Sequence, residues 1–400
     1  MPSEYRSAFV LLFLCLTCVG MGQSMLFAIL PPAAREIGIS PFQVSTIFAT
    51  SATIWVFISP IWGRRSDVMG RRPVILIGLL GYALSMALLG AMIQLGRSHL
   101  LPVLAVYPLM VASRSIFALL GSGTGPASQA YVADRTSRAD RTAGVALVNA
   151  AMGLGQTVGP AIGAGFAVLG VLAPIYFCAI LAVLSGAMIW FLLPEDAPPL
   201  AKGATPPKRM SFRDPRIAPF LIVSASLQAV RATTAITFAF FIQDTLKLSA
   251  QETVQYAGFG FVALAVAGLF AQLVLLQRFK LSARIMIQGG VPLILLAFVL
   301  LVVGTSFAAY LVGMTSLGMG LGLVRPGSSA AASLSVEPNE QGSVAGVISG
   351  IAVVGNVFGP LLGTKLYEIV PSGPYVLNGI LMAAVLLYVL TNGRVRGLRT

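Results

Sequence analysis

Charge is scarce in this sequence. Of its 400 residues, 10% are charged and 57% hydrophobic, and mean hydropathy is +0.89, whereas a soluble domain is roughly one quarter charged. That shortage excludes a soluble globular chain and points to a membrane as the solvent. Acids are scarcer still, with 13 Asp and Glu against 26 Lys and Arg. Every acid falls at the end of an apolar run or in a connector, and none near the middle of a run. The single histidine, His99, lies in a connector. No metal-ligand cluster can be assembled, and no acid stands beside a buried Ser or Cys nucleophile, so neither an enzyme nor a metal or organic cofactor is expected. Cysteine is nearly missing too. Cys15, Cys18 and Cys178 all sit in apolar runs, where a free thiol behaves as a small hydrophobe. The Cys15-x-x-Cys18 spacing lacks the partners that a redox or zinc site requires.

What the chain has in quantity is apolar length. Runs long enough to span a bilayer predict helices at 8–34, 42–62, 73–95, 102–133, 140–170 and 172–193, then at 217–243, 252–276, 284–303, 306–334, 342–369 and 373–392. The first run exceeds a signal-peptide core and carries no small-residue cleavage pattern, so it is expected to be retained. The fold class expected is an all-α membrane protein of twelve transmembrane helices in two six-helix bundles. Residues 1–193 form the first bundle, 194–216 a cytoplasmic linker rich in Pro, Lys and Arg, and 217–400 the second bundle.

A net charge of +13 would raise nucleic acid as a partner for a soluble protein, but the placement of the charges argues otherwise. With the amino terminus inside, 19 Lys and Arg fall in cytoplasmic segments and only Arg35, Arg97, Lys247 and Lys365 outside. This is the positive-inside pattern. It predicts a protein of the cytoplasmic (inner) membrane with both termini in the cytoplasm, surrounded by lipid, and no nucleic-acid binding.

The halves repeat. Gly155-x-x-x-Gly159-Pro160-x-x-Gly163 recurs 200 residues later as Gly355-x-x-x-Gly359-Pro360-x-x-Gly363, and Pro126 and Ser128 recur as Pro326 and Ser328. Repeated halves are the build of carriers that alternate access around a midplane site. A Gly-Pro pair removes a backbone hydrogen bond and thins the helix, which suits close packing and bending.

Between the second and third helices stands Gly63-Arg-Arg-Ser-Asp67-Val-Met-Gly70-Arg71-Arg72. Read as a ten-residue turn, it lets Gly63 and Gly70 supply tight geometry while Asp67 pairs with neighbouring arginines. This segment resembles the G-x-x-x-D-x-x-G-R-[KR] signature of the major facilitator superfamily, and the resemblance extends over all twelve helices. Within that superfamily the chain is most similar to the twelve-helix, proton-coupled drug and metabolite exporters. Arg114, ahead of Gly121-x-Gly-x-Gly125-Pro126, and the Gly159-Pro160 segment support the likeness. The resemblance implies alternating access, protons as the coupling ion, and gating by Gly63, Asp67, Gly70, Arg71 and Arg72; Gly159, Pro160, Gly359 and Pro360 serve either as moving hinges of the gate or as purely structural kinks, and the chain is expected to be a monomer. In the resemblance the Asp67 segment latches the two halves against the eleventh helix. The exporters' buried midplane carboxylate has no counterpart here.

Three cations do lie deep in apolar helices: Arg114, Arg231 and Arg325. An ionisable residue at that depth costs about 2.5–3.5 kcal/mol on insertion scales and is a functional candidate by default. Arg114 can either bond helix carbonyls or touch substrate; Arg231 and Arg325 are assigned to substrate. Gln23, Ser24, Asn149, Gln156, Gln228 and Asn356 are candidate polar linings of a central cavity between the halves, with Trp55, Phe238 and Phe241 as apolar walls. The reading reached is a secondary exporter of a small organic anion or zwitterion, such as a carboxylate siderophore or an acidic antibiotic. Its rivals are a broad exporter of lipophilic or cationic drugs and an importer of organic anions.

Overall fold

The computed structural model describes residues 6–136, 141–195, 211, 214–279, 281–337 and 340–396, nearly all of them helical. In chain order come α1 (Arg6–Glu36), α2 (Pro41–Met69), α3 (Arg71–Arg97), α4 (Val103–Gly121), α5 (Thr124–Asp134), α6 (Arg141–Phe166) and α7 (Ala173–Leu192). Then follow α8 (Ala218–Leu246), α9 (Ala250–Phe270), α10 (Leu276–Phe279), α11 (Ala283–Val303), α12 (Phe307–Leu334), α13 (Gln341–Ile369), α14 (Gly373–Thr391) and the short α15 (Gly393–Arg396). Among the described residues, 11 helical stretches are long and apolar enough to cross a membrane, with α4 and α5 counting as one. The 29-residue α13 makes the twelfth long stretch.

Local chemistry sets the ends. Ser40 caps α2 in a reciprocal box with Gln43, and Pro41 opens its first turn. Ser282 and Ser306 cap α11 and α12. Among the differences from the sequence expectation, the fourth run, expected unbroken over 102–133, is interrupted at 122–123 between α4 and α5, and the second and seventh helices run on. The second helix does not stop at 62 but runs on to Met69, because Gly63 to Met69 contains no proline and keeps its backbone bonds. Gly63 therefore sits inside a helix with open space where a Cβ would be, and only Gly70 makes the turn, at φ 94. The seventh expected helix runs past 243 to Leu246 and is closed by Lys247 in the left-handed region, φ 57. Of the expected linker, only 194, 195, 211 and 214–216 belong to the described residues.

The chain forms two compact units, Met1–Lys202 with Ser249–Gly258, and Gly203–Leu248 with Phe259–Thr400. In the first, α6 lies along α1, and α3 packs on α4 and α7. The close approach of α6 depends on its glycines: a Cβ at Gly155 would strike the Thr17 carbonyl, and one at Gly159 the Met21 carbonyl. In the second unit α13 lies along α8 and α12 packs on α11. There, a Cβ at Gly355 would come 2.8 Å from the Ala229 amide, and one at Gly359 2.8 Å from the Ala229 carbonyl. The glycine repeat thus serves one packing device twice, a small-residue stripe on which two helices meet. Proline interrupts neither helix: α6 continues through Pro160 and α13 through Pro360. The free thiols Cys15, Cys18 and Cys178 are buried in the first unit.

Candidate functional site

The acidic position between α2 and α3 is built around Arg71. Its Nη1 lies 2.5 Å from Asp67 one turn earlier, its Nε donates to Asp134 at the end of α5 at 3.1 Å, and Nη1 also donates to Ser66 Oγ at 2.6 Å. One guanidinium thereby ties the end of α2, the start of α3 and the end of α5 together. Such charge-assisted bonds are stronger and shorter than neutral ones. Arg72 turns the other way, with its Cζ 5.4 Å from the centre of the Trp190 ring. The Glu195 carboxylate sits where a Cβ on Gly70 would be, beside the first residues of α3, where helix amides favour negative charge. Pro194 is held in the same place, its carbonyl accepting from Tyr131 OH at 2.9 Å.

The three deep arginines have different surroundings. Arg114, on α4, is 4% exposed. Its Nε and Nη1 have no hydrogen-bond partner among the described residues, so the carbonyl bonds that the sequence allowed are not made by these atoms. The guanidinium instead faces aromatic rings, 5.2 Å from the centre of Phe117 and 6.0 Å from that of Phe48. Trp55 and Tyr82 close round the same Phe117 ring at 5.1 and 4.9 Å. On α8, Arg231 is half-buried and donates from Nη2 to Asn356 Oδ1 at 2.9 Å and from Nε to Gln228 Oε1 at 3.4 Å. Arg325, on α12, is exposed, and close enough to Arg231 to act on it electrostatically. One turn along, Ser328 donates to the Arg325 carbonyl at 3.1 Å and meets Ser224 of α8 at 3.3 Å.

Arg231, Arg325, Gln228 and Asn356 therefore form one cluster in the second unit, on α8, α12 and α13. The other polar candidates are dispersed through the first. Asn149 is exposed and accepts from Gln129 Nε2 at 3.2 Å, Gln156 is exposed, Gln23 is half-buried, and Ser24 donates to the Met21 carbonyl at 3.0 Å. Phe238 and Phe241, expected as apolar walls, are placed by the structure inside the second unit. They are 0% and 5% exposed, with Phe238 packed on Phe261 and Phe241 between Tyr310 and Tyr375.

Sequence reasoning missed Asp134 as the second partner of Arg71, Tyr82 beside Arg114, and a hydrogen bond between Tyr367 of α13 and Asp244 of α8 at 2.5 Å. None carries a spacing signal, because each joins residues on different helices.

The family model for the Major Facilitator Superfamily matches residues 12–351 and 274–398. The chain is 26% identical over 369 residues to "Multidrug resistance protein 1" of Bacillus subtilis (strain 168), covering 91% of this chain and 90% of that one. It is 27% identical over 375 residues to "Tetracycline resistance protein, class C" of Escherichia coli, covering 90% of each. Among solved structures it is similar to a point mutant of the nucleoside transporter NupG, with a TM-score of 0.75 at 14% identity over 96% of this chain and 98% of that one.

Proposed function

Because this chain belongs to the major facilitator superfamily, and is a membrane-spanning transporter rather than an enzyme, we propose that it exports a small organic anion or zwitterion, a metabolite or drug, by alternating access coupled to protons. The observation that carries this reading is the Arg231–Asn356–Arg325 cluster. Two cations stand there among neutral amides, in a chain whose acids all avoid the middle of the spans. A lone cation at that depth is costly, and an anionic substrate supplies the counter-charge for the part of the cycle in which it is bound. Arg325 presents an exposed fork that grips a carboxylate in two places. Arg231, already bonded to Asn356, exchanges that amide for a better acceptor. In this reading the protein is a monomer of the inner membrane, with both termini and the linker in the cytoplasm. The segment centred on Asp67, Gly70 and Arg71 acts as the gate on that side, and the Gly-Pro positions of α6 and α13 as its bending points.

A second reading, broad export of lipophilic or cationic drugs, draws on the relatives named for multidrug and tetracycline resistance. Purified protein in proteoliposomes separates the two. Gradient-driven accumulation of fluorescein, an organic anion with an apolar body, in preference to ethidium is the expected result. Accumulation of ethidium without fluorescein overturns the anion reading.

A further inference from the structure

We propose that Asp244 and Tyr367 form the proton-binding site of this carrier. The inference rests on the transport reading above and supplies what the sequence leaves unassigned, a carboxyl group within the helical framework.

Asp244 belongs to the last turn of α8, which continues to Leu246, so its side chain is fixed by a helix and not by a connector. Its Oδ2 accepts from the phenol of Tyr367 at 2.5 Å. Tyr367 is 3% exposed, lies two residues before the end of α13, and has its ring 6.1 Å from that of Phe240. Asp244 itself is half-buried. The pair therefore has a buried half that sets geometry and a half that reaches the surface on the side opposite the linker, the outer side in the proposed orientation. Other titratable groups that the neighbouring helices bring to this end are Lys365 and Glu368 on α13, which lie 3.5 Å apart, Tyr310 on α12, Tyr375 on α14, and Lys247 capping α8.

The proton step is simple. The Asp244 carboxylate takes one proton from a hydronium ion on the outer side, whose O–H bond breaks to leave water, and becomes a carboxylic acid, which donates where it had accepted. The Tyr367 hydroxyl, until then the donor, turns to accept. No other bond forms or breaks.

The same two helices meet a second time at Arg231 and Asn356, thirteen residues further in along α8, about 20 Å at 1.5 Å per residue. Substrate competing for Arg231 acts on the inner joint between α8 and α13, and protonation acts on the outer joint. Both ligands thus bias one helix pair, the physical requirement for coupling between two sites. Gly359 and Gly363 of α13, packed against Thr233 of α8, lie between the joints, where small residues let the helices shift while staying in contact.

Two measurements test this on the purified full chain. First, infrared spectra of the protein without substrate, taken across pH, should contain a protonated-carboxyl band that is missing in Asp244→Asn and moves in frequency in Tyr367→Phe, where its hydrogen-bond partner is lost. A titration identical in wild type and Asp244→Asn, or an Asp244 component indifferent to Tyr367→Phe, overturns the site. Second, acid-loaded vesicles should accumulate fluorescein with wild type and with Asp244→Glu, while Asp244→Asn should only equilibrate it, with at least a tenfold lower final ratio. The ratio reports coupling and not rate, so a merely structural defect does not mimic it. Full accumulation by Asp244→Asn overturns the proposal. If fluorescein is not carried at all, the anion reading fails while the infrared result still decides the proton site.

Discussion

Arg216 donates to both oxygens of Glu340, at 2.8 and 3.0 Å, while its Nη2 also lies 2.8 Å from Asp214. The residues just ahead of α8 and α13 are thereby held side by side, at the opposite end of the helix pair from Asp244 and Tyr367. The Arg216 hydrogen bonds hold the Glu340 carboxyl below the usual carboxylate range. A depressed folded-state value stabilises the native state above the unfolded value, and the effect is lost as pH falls through the folded value. Glu340→Gln should therefore lower the melting temperature by about 1–2 °C at neutral pH, the modest effect of a solvent-exposed pair. The gap to wild type should close in acid. A thermal shift series across pH measures this, and a gap that widens in acid contradicts the assignment.

Replacing Asp67 with asparagine should leave the protein inserted but reduce transport of fluorescein by about tenfold or more, since charge-assisted bonds in a network are worth more than isolated pairs. Arg71 would keep Asp134 at 3.1 Å and so stay in place. Surface expression and vesicle uptake, measured together, check this. Transport within twofold of wild type would mean that the acid only helps to set topology.

Arg231→Ala and Arg325→Ala should each weaken binding of fluorescein by about tenfold or more, the usual size of losing one partner of a partly desolvated ion pair. Lysine should rescue Arg325 only in part, because it keeps charge but not the planar fork. Rising salt should weaken wild-type binding less steeply than it does a surface pair. Affinities on purified, folded variants decide the matter. Unchanged affinity in both alanine variants would falsify the anion assignment.

Two alanines on one helix give a packing test. Gly155→Ala pushes a methyl group against the Thr17 carbonyl of α1, whereas Gly153→Ala places it in open space. The first should cost about 1–3 kcal/mol, as overpacking does, and the second should be neutral or slightly stabilising, because alanine favours helix over glycine. Melting temperatures of the two proteins, side by side, provide the check.

A cysteine placed at Lys208 should resist membrane-impermeant maleimide added outside intact cells and react after lysis. The native thiols need not be removed first: Cys15, Cys18 and Cys178 are at most 3% exposed. Labelling from outside would reverse the proposed orientation.

Much of this architecture is legible in the sequence because membrane solvent imposes length and apolarity on every span. The glycine repeats at 155 and 355 announce close helix packing in both halves, while the partners, α1 for α6 and α8 for α13, come from the structure. The extent of α2 is hidden for the converse reason. Arg64, Arg65 and Asp67 read as a connector by charge, yet nothing in Gly63–Met69 breaks a helix. The Arg231–Asn356 bond and the Asp244–Tyr367 bond escape a sequence reading because their partners lie 125 and 123 positions apart. Phe238 and Phe241 read as cavity walls because the wholly apolar run 238–242 does not say which face meets neighbouring helices and which meets a cavity.

Gly70 is the whole joint between α2 and α3, with φ 94 and ψ 157, a conformation essentially reserved for glycine. A side chain there would also run into Glu195. Every single-base missense change of a glycine codon installs alanine, serine, cysteine, valine, aspartate, glutamate, arginine or tryptophan, each with a Cβ. No one-step missense route leads away from this position without bending both helices, so in a library of random point mutants selected for function the codon should come back with silent changes alone.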